Sequence, residues 1–224
     1  MKKIEILPSY IYEFDMPEEI TNKVLHFVKD IQYKKTLQRT NQSSESMSLH
    51  KEDIFKQAHS VIKDKMNDLI KELKFTINEF KIVNTHANVT KKGEWHTPHD
   101  HANAVFSSVW YLNDCDCETY FYRLNDWMDN WVNIYPPRTV GGSMGSTFSF
   151  KYLHWYDVEG NPLVEGFKPF IIHKQKSIKN KVLLFPAKLL HLTNTNKNDY
   201  PRYTVTFNMF PSNWGQSTIT VDLK

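Results

Sequence analysis

The sequence predicts a mainly β fold, an antiparallel sandwich or barrel buttressed by N-terminal helices. Two observations carry this. Up to about residue 79, apolar residues recur at helical spacing, and from residue 80 onward short runs rich in aromatic and β-branched residues are separated by turn signals. At 224 residues the chain is long enough for one substantial core. A single domain over 1–224 is expected, with 1–79 as helical support for the β core.

Taken in order, Asp15 stands before Pro17 and Glu18, which suits a helix N-cap with proline in the first turn and an acid at the third position. Ile20, Val24, Leu25, Val28 and Ile31 then follow a helical repeat, and residues 36–50 are polar and read as loop. A second helix carries Ile54, Phe55, Ala58, Val61, Ile62, Met66, Leu69, Ile70 and Leu73, a stripe broad enough to be a packing face. The strand candidates are FKIVNTHANVT, VFSSVWYL, TYFY, STFSFKYL, KVLLF and RYTVTFNMF. Between them lie the turn signals KKGE, YPPR, VGGSMG, VEGNP and NKND. The glycine-rich VGGSMGS lacks the Gly-Lys-Ser/Thr ending of a phosphate loop and reads as a flexible turn, part of a lid.

Composition excludes several partners. With 28 basic and 25 acidic residues, the chain has a net charge of +3 and no basic patch suited to nucleic acid or an acidic membrane surface. No apolar run approaches the roughly 18 residues of a membrane span. MKKIEILPSYIYEF has neither the apolar stretch nor the cleavage site of a secretory signal. Cys115 and Cys117 are too close together for an ordinary disulfide and too few for a thiolate metal cage, so free thiols in a reducing cytoplasm are expected.

The chemistry concentrates in HTPHDH, which holds His96, His99 and His101, and in a later His191 followed by Arg202. On a strand, residues i and i+2 share a face, so alternation pairs His99 with His101 and turns Asp100 away. His96, beyond Pro98, is left as a neighbour of the site or a surface residue. Two imidazoles plus a distant third form an open three-nitrogen site suited to iron, zinc, copper or nickel. In RYTVTFNMF, Tyr203, Val205, Phe207 and Met209 make one apolar face, and Arg202, Thr204, Thr206 and Asn208 make a polar one. The apolar face would pack on the helices. The polar face would line a cavity in which the guanidinium fork could grip a carboxylate.

Three segments resemble the iron(II)- and 2-oxoglutarate-dependent oxygenases, in their prolyl-4-hydroxylase-like branch. THANVTKKGEWHTPHDHANAVFSSVWYLND resembles the first ligand strand and the strand after it. WYLNDCDCETYF resembles the "YLN … GGET-F" stretch, and NKVLLFPAKLLHLTNTNKNDYPRYTVTFNMF resembles the second ligand strand and the 2-oxoglutarate strand. The HxxHxH spacing looks like that of a bacterial and phage subgroup. The resemblance covers roughly residues 80–122 and 180–210. It implies a double-stranded β-helix (jelly-roll, cupin-like) core over 80–215, with 123–179 as an insertion. It also implies an enzyme that uses Fe(II), 2-oxoglutarate and O2 to hydroxylate a substrate, releasing succinate and CO2. Carried over, the metal ligands are His99, His101 and His191, with His101 where the family has an aspartate. Arg202 holds the far carboxylate of 2-oxoglutarate, with Thr204, Tyr111 and Asn208 as its helpers. Asp116 and Cys117 replace the family's paired glycines.

A second reading is a cupin-like metal-binding protein or isomerase that does not use 2-oxoglutarate. HANAVFSS, however, lacks the glutamate that cupins carry after their histidine pair. In the unmatched middle, Trp127, Trp131, Tyr135, Tyr152, Trp155 and Tyr156 are expected to be core, or alternatively a wall of the substrate pocket. His154 and His173 are expected to be structural or exposed.

Overall fold

Two antiparallel sheets face each other in the computed structural model, which describes residues 10–35, 40–73, 79–101, 103–123 and 170–212. The larger sheet has seven strands in the order β1 (Tyr12–Asp15), β9 (Lys181–Pro186), β6 (Phe106–Tyr111), β11 (Arg202–Pro211), β4 (Phe80–Thr90), β3 (Gln42–Ser44) and β2 (Tyr33–Lys35). The smaller has four, in the order β5 (His96–His99), β10 (Leu190–Thr193), β7 (Cys115–Arg123) and β8 (Phe170–Ser177). The aromatic and β-branched runs at 80–90, 105–112, 119–122, 181–185 and 202–210 all fall on strands. The run STFSFKYL, the turns YPPR, VGGSMG and VEGNP, the six aromatics of the insertion and His154 lie outside the described residues.

Helices α1 (Glu18–Asp30) and α2 (Lys56–Glu72) cover the outer face of the larger sheet. Their apolar residues, among them Val24, Val28, Ala58, Ile62 and Met66, form one cluster with Trp110, Leu184, Val205, Phe207 and Met209. The alternation in β11 is thus realised as expected: its apolar residues pack on the helices while Arg202 reaches the smaller sheet. Phe207 is fully buried between Trp110 and Phe55, with ring centroids 6.2 and 6.3 Å away. Between the sheets, Val109, Tyr111, Leu183 and Phe185 meet Phe121 and Leu189.

Two local expectations are corrected. Asp15 does not cap α1: the residue before the helix is Pro17, with no side-chain cap, and Asp15 pairs with Lys181 at the end of β1. Backbone pairing with β9, continued by the Met16 N–H to the Asn180 carbonyl (2.8 Å), holds this stretch extended. Nor is 36–50 wholly loop. Gln42–Ser44 pairs with both β2 and β4, because its small polar side chains, Ser43 to Asn88 for example, find partners at the sheet edge.

Candidate metal centre

His191 on β10 stands directly opposite His99 on β5, which brings their ring centroids to 4.2 Å. His101 arrives by a different route from the expected strand alternation. β5 ends at His99, and the His101 N–H donates to the Ala187 carbonyl at 2.8 Å, just past the end of β9. That bond turns the chain so that His101 Nε2 lies 3.4 Å from His191 Nε2. The ligand nitrogens of His99, His101 and His191 all lie within 4.8 Å of one another. Asp100 stays outside the group, its carboxylate 3.1 Å from Lys188 Nζ. The His96 ring stacks on His99 with a centroid separation of 4.0 Å.

The backbone sets the ring chemistry. His99 Nδ1 is 2.9 Å from the Thr97 carbonyl and His191 Nδ1 is 2.9 Å from the Leu189 carbonyl. A carbonyl only accepts, so each Nδ1 carries the hydrogen and each Nε2 keeps its lone pair. A carbonyl holding Nδ1–H in this way fixes the ring so that Nε2 points at a metal. Burial pushes the His191 pKa down to about 4, so the ring is neutral, as a ligand must be. Three imidazole nitrogens within 4.8 Å of one another fit a divalent transition metal, and the donor set is compatible with iron.

Arg202 supplies the second half of the site from the other sheet. It is 2% exposed, and its Nη2 donates to Thr119 Oγ1 at 2.8 Å and its Nη1 to Thr193 Oγ1 at 3.4 Å. The guanidinium lies 5.2 Å from the Tyr111 ring centre, and the Tyr111 hydroxyl donates to Thr119 at 3.0 Å. Among the described residues no carboxylate pairs with Arg202, and its Nε has no partner. A buried charge left so is costly, and an anionic ligand would relieve it. Thr193 is two residues from His191 on the same strand face, about 6.6 Å along β10, so the histidines and the guanidinium address one short stretch of the inner face.

Of the expected helpers, Tyr111 lies beside Arg202, and Thr204 is buried opposite Tyr111 in register. Asn208 is not brought to them. It lies six residues from Arg202, about 20 Å along β11, accepting a hydrogen bond from Ser107 (2.7 Å) and donating to Asn84 (3.5 Å). The side-chain period that groups Asn208 with Arg202 on one face carries no information about distance along that face. Thr119 and Thr193, which hold Arg202, were not expected in the site; the signal for Thr193 was its two-residue spacing from His191 on one strand. His173 is half-buried on β8 with its ring 6.0 Å from Phe121, so it belongs to the wall of the same inner face.

The sequence matches no protein-family model and no curated protein. The fold is nevertheless shared with solved structures. HygX from Streptomyces hygroscopicus, with nickel and 2-oxoglutarate bound, superposes with a TM-score of 0.57 at 10% identity, over 95% of this chain and 85% of that one. A Pseudomonas putida prolyl-4-hydroxylase gives 0.52 at 11% identity, over 90% of this chain and 92% of that one. The non-heme alpha ketoglutarate dependent epimerase SnoN from nogalamycin biosynthesis gives 0.56 at 8% identity, over 90% and 76%. The chain therefore has the double-stranded β-helix fold of these oxygenase structures.

Proposed function

We propose that this protein is a non-haem iron(II)- and 2-oxoglutarate-dependent dioxygenase that hydroxylates a substrate C–H bond, with release of succinate and CO2. The observation that carries the reading is Arg202, a buried guanidinium with no carboxylate partner among the described residues, on the same inner side of the sandwich as three converging histidines, two of them fixed with Nε2 free to ligate. The fold shared with HygX, which was solved with nickel and 2-oxoglutarate, supports it. A cupin-like metal protein or isomerase would leave Arg202 without a role.

On this reading His99, His101 and His191 hold the metal, and Arg202 holds the far carboxylate of 2-oxoglutarate bidentately. Thr119 and Thr193 keep the guanidinium fork in plane, and Tyr111 and Thr204 wall the cavity around the co-substrate. Iron(II) with 2-oxoglutarate and O2 supplies an oxidant strong enough to attack a C–H bond. Because His101 is neutral where a carboxylate is usual, the co-substrate is the source of negative charge at the centre. The apolar wall of Phe121, Phe185 and Leu189 excludes water from it.

The substrate is a small molecule or peptide. A cytoplasmic location fits the two free thiols, and no described helix is long and apolar enough to cross a membrane. The direct test is spectroscopic. Anaerobic protein loaded with iron(II) should gain a weak visible absorption band on addition of 2-oxoglutarate. No band at saturating co-substrate would refute the reading. A succinate-release screen over prolyl peptides, amino acids, nucleotides and secondary metabolites then identifies the substrate class.

A further inference from the structure

Cys115 and Cys117 have no part in the chemistry proposed above, yet their surroundings are unlike those of inert core thiols. Both are buried and free, at the start of β7. Cys115 Sγ receives the Asn198 Nδ2 hydrogen at 3.2 Å and the Cys117 backbone N–H at 3.5 Å, and its own thiol donates to Asn196 Oδ1 at 3.6 Å. Cys117 Sγ lies 3.1 Å from the Asn194 carbonyl, an acceptor that keeps its proton in place. The two thiols are therefore unequal: the Cys115 sulfur accepts two hydrogen bonds and donates a long one, whereas the Cys117 sulfur donates a short one. The neighbouring Cys117, its backbone N–H and the Arg202 charge bring the Cys115 thiol down, while the neighbouring sulfur and burial drive Cys117 upward.

Cys115 is 5% exposed, and that exposure opens toward the surface. It lines a surface pocket of about 230 Å³ together with Asp114, Asp116, Lys176, Ile178 and Tyr200. Ile178 and Tyr200 are 45% and 50% exposed. A small neutral oxidant can enter there without crossing the metal cavity.

We propose that Cys115 is a peroxide-oxidation site, with Cys117 as its resolving thiol. The Cys115 sulfur attacks one peroxide oxygen and the O–O bond breaks. The second oxygen leaves as hydroxide and becomes water with the proton shed by Cys115. The Cys117 sulfur then attacks the Cys115 sulfenic acid, the S–O bond breaks, and the hydroxyl leaves with the Cys117 proton as a second water. Two thiols supply the two electrons that reduce one peroxide to two waters. Residues two apart on a strand have Cα atoms about 6.6 Å apart, near the upper limit for a disulfide. The β7–β8 register shifts between Cys115 and Glu118, so this stretch is the part of the strand free to close up. Such a strained bond is easily reduced, which makes the oxidation reversible. Thr119 is two residues beyond Cys117, so closure draws on the strand that seats Arg202.

The test uses the full-length, metal-free protein, treated with hydrogen peroxide, quenched with a thiol-alkylating reagent and read by intact mass and peptide mapping. The expected result is loss of two hydrogens within the 115–117 peptide, protection of both thiols from alkylation, and full reversal by dithiothreitol. Cys117→Ser should stop at a Cys115 sulfenic acid that reacts with dimedone. Asn198→Ala, which alters neither thiol, should slow the oxidation. If both thiols of the folded protein alkylate fully after peroxide, the proposal is overturned. Oxidation of the Cys115→Ser variant at Cys117 as fast as the parent protein reacts would overturn it equally.

Discussion

Replacing Arg202 with methionine separates what the side chain does for the ligand from what it does for the fold. Methionine keeps most of the length and the apolar volume but removes the charge and all five donors. The guanidinium is 2% exposed, and among the described residues it has two hydroxyl partners, the Tyr111 ring beside it and an idle Nε, so its charge is only partly compensated. Replacing a whole buried ion pair by apolar side chains is often neutral or stabilising by about 1–4 kcal/mol, and a charge with no counter-ion has still less attraction to lose. For a bound dicarboxylate the sign reverses. Two charge-assisted hydrogen bonds at about 1.5–3 kcal/mol each amount to about 3–6 kcal/mol, or roughly 10²- to 10⁴-fold in affinity. Calorimetric titration of 2-oxoglutarate into manganese-loaded protein measures the second quantity, and denaturant unfolding of the metal-free protein measures the first. Arg202→Met should thus be at least as stable as the parent and nearly blind to 2-oxoglutarate. A variant that binds 2-oxoglutarate within about threefold of the parent, a difference of under about 0.7 kcal/mol, would refute the assignment.

Other consequences follow from the same geometry. His191→Ala should abolish manganese binding by titration, whereas His96→Ala, which removes only the ring stacked on His99, should weaken it about 10- to 100-fold. Phe207→Ala should cost about 3–5 kcal/mol in urea unfolding, since the ring is fully buried between helix and sheet. His59, packed 5.8 Å from Phe207, has its pKa pushed down to about 4 by burial, below its unfolded value near 6.5. Its neutral form is the one the fold accepts, so its contribution is present above pH 6.5 and is lost as pH falls toward 4. His59→Leu should therefore flatten the acid limb of melting temperature against pH. Part of the fall will remain, because metal-free His191 titrates over the same window.

What was legible in the sequence were the features that a local period encodes. The two-residue alternation of β11 announced both its helix-facing Phe207 and its inward Arg202, and the helical repeats announced the stripes that meet Phe207. What escaped were features decided by contacts between distant segments. His101 was expected in the metal group and is there, but it arrives because Ala187 captures its N–H, a bond between residues 86 apart that no spacing in HTPHDH reveals. Asp15 looks like a cap until the partner strand at Lys181 claims it. Thr119 and Thr193 are ordinary strand threonines until the two sheets are stacked and both point at one guanidinium. Asn208 shares a face with Arg202, yet it serves the far end of that face.

The histidines and Arg202 belong to opposite layers of the sandwich, the first to the four-stranded sheet and loop, the second to the seven-stranded one. A dicarboxylate gripped at both ends would be a rivet through the two layers rather than a guest in a finished pocket. Loading the centre would then complete the tertiary structure. Amide hydrogens in β10 and β11, which share no backbone hydrogen bond, should slow their exchange together when metal and co-substrate are both present. For a protein of this design, scarcity of the co-substrate would shorten the lifetime of the fold as well as halt the reaction.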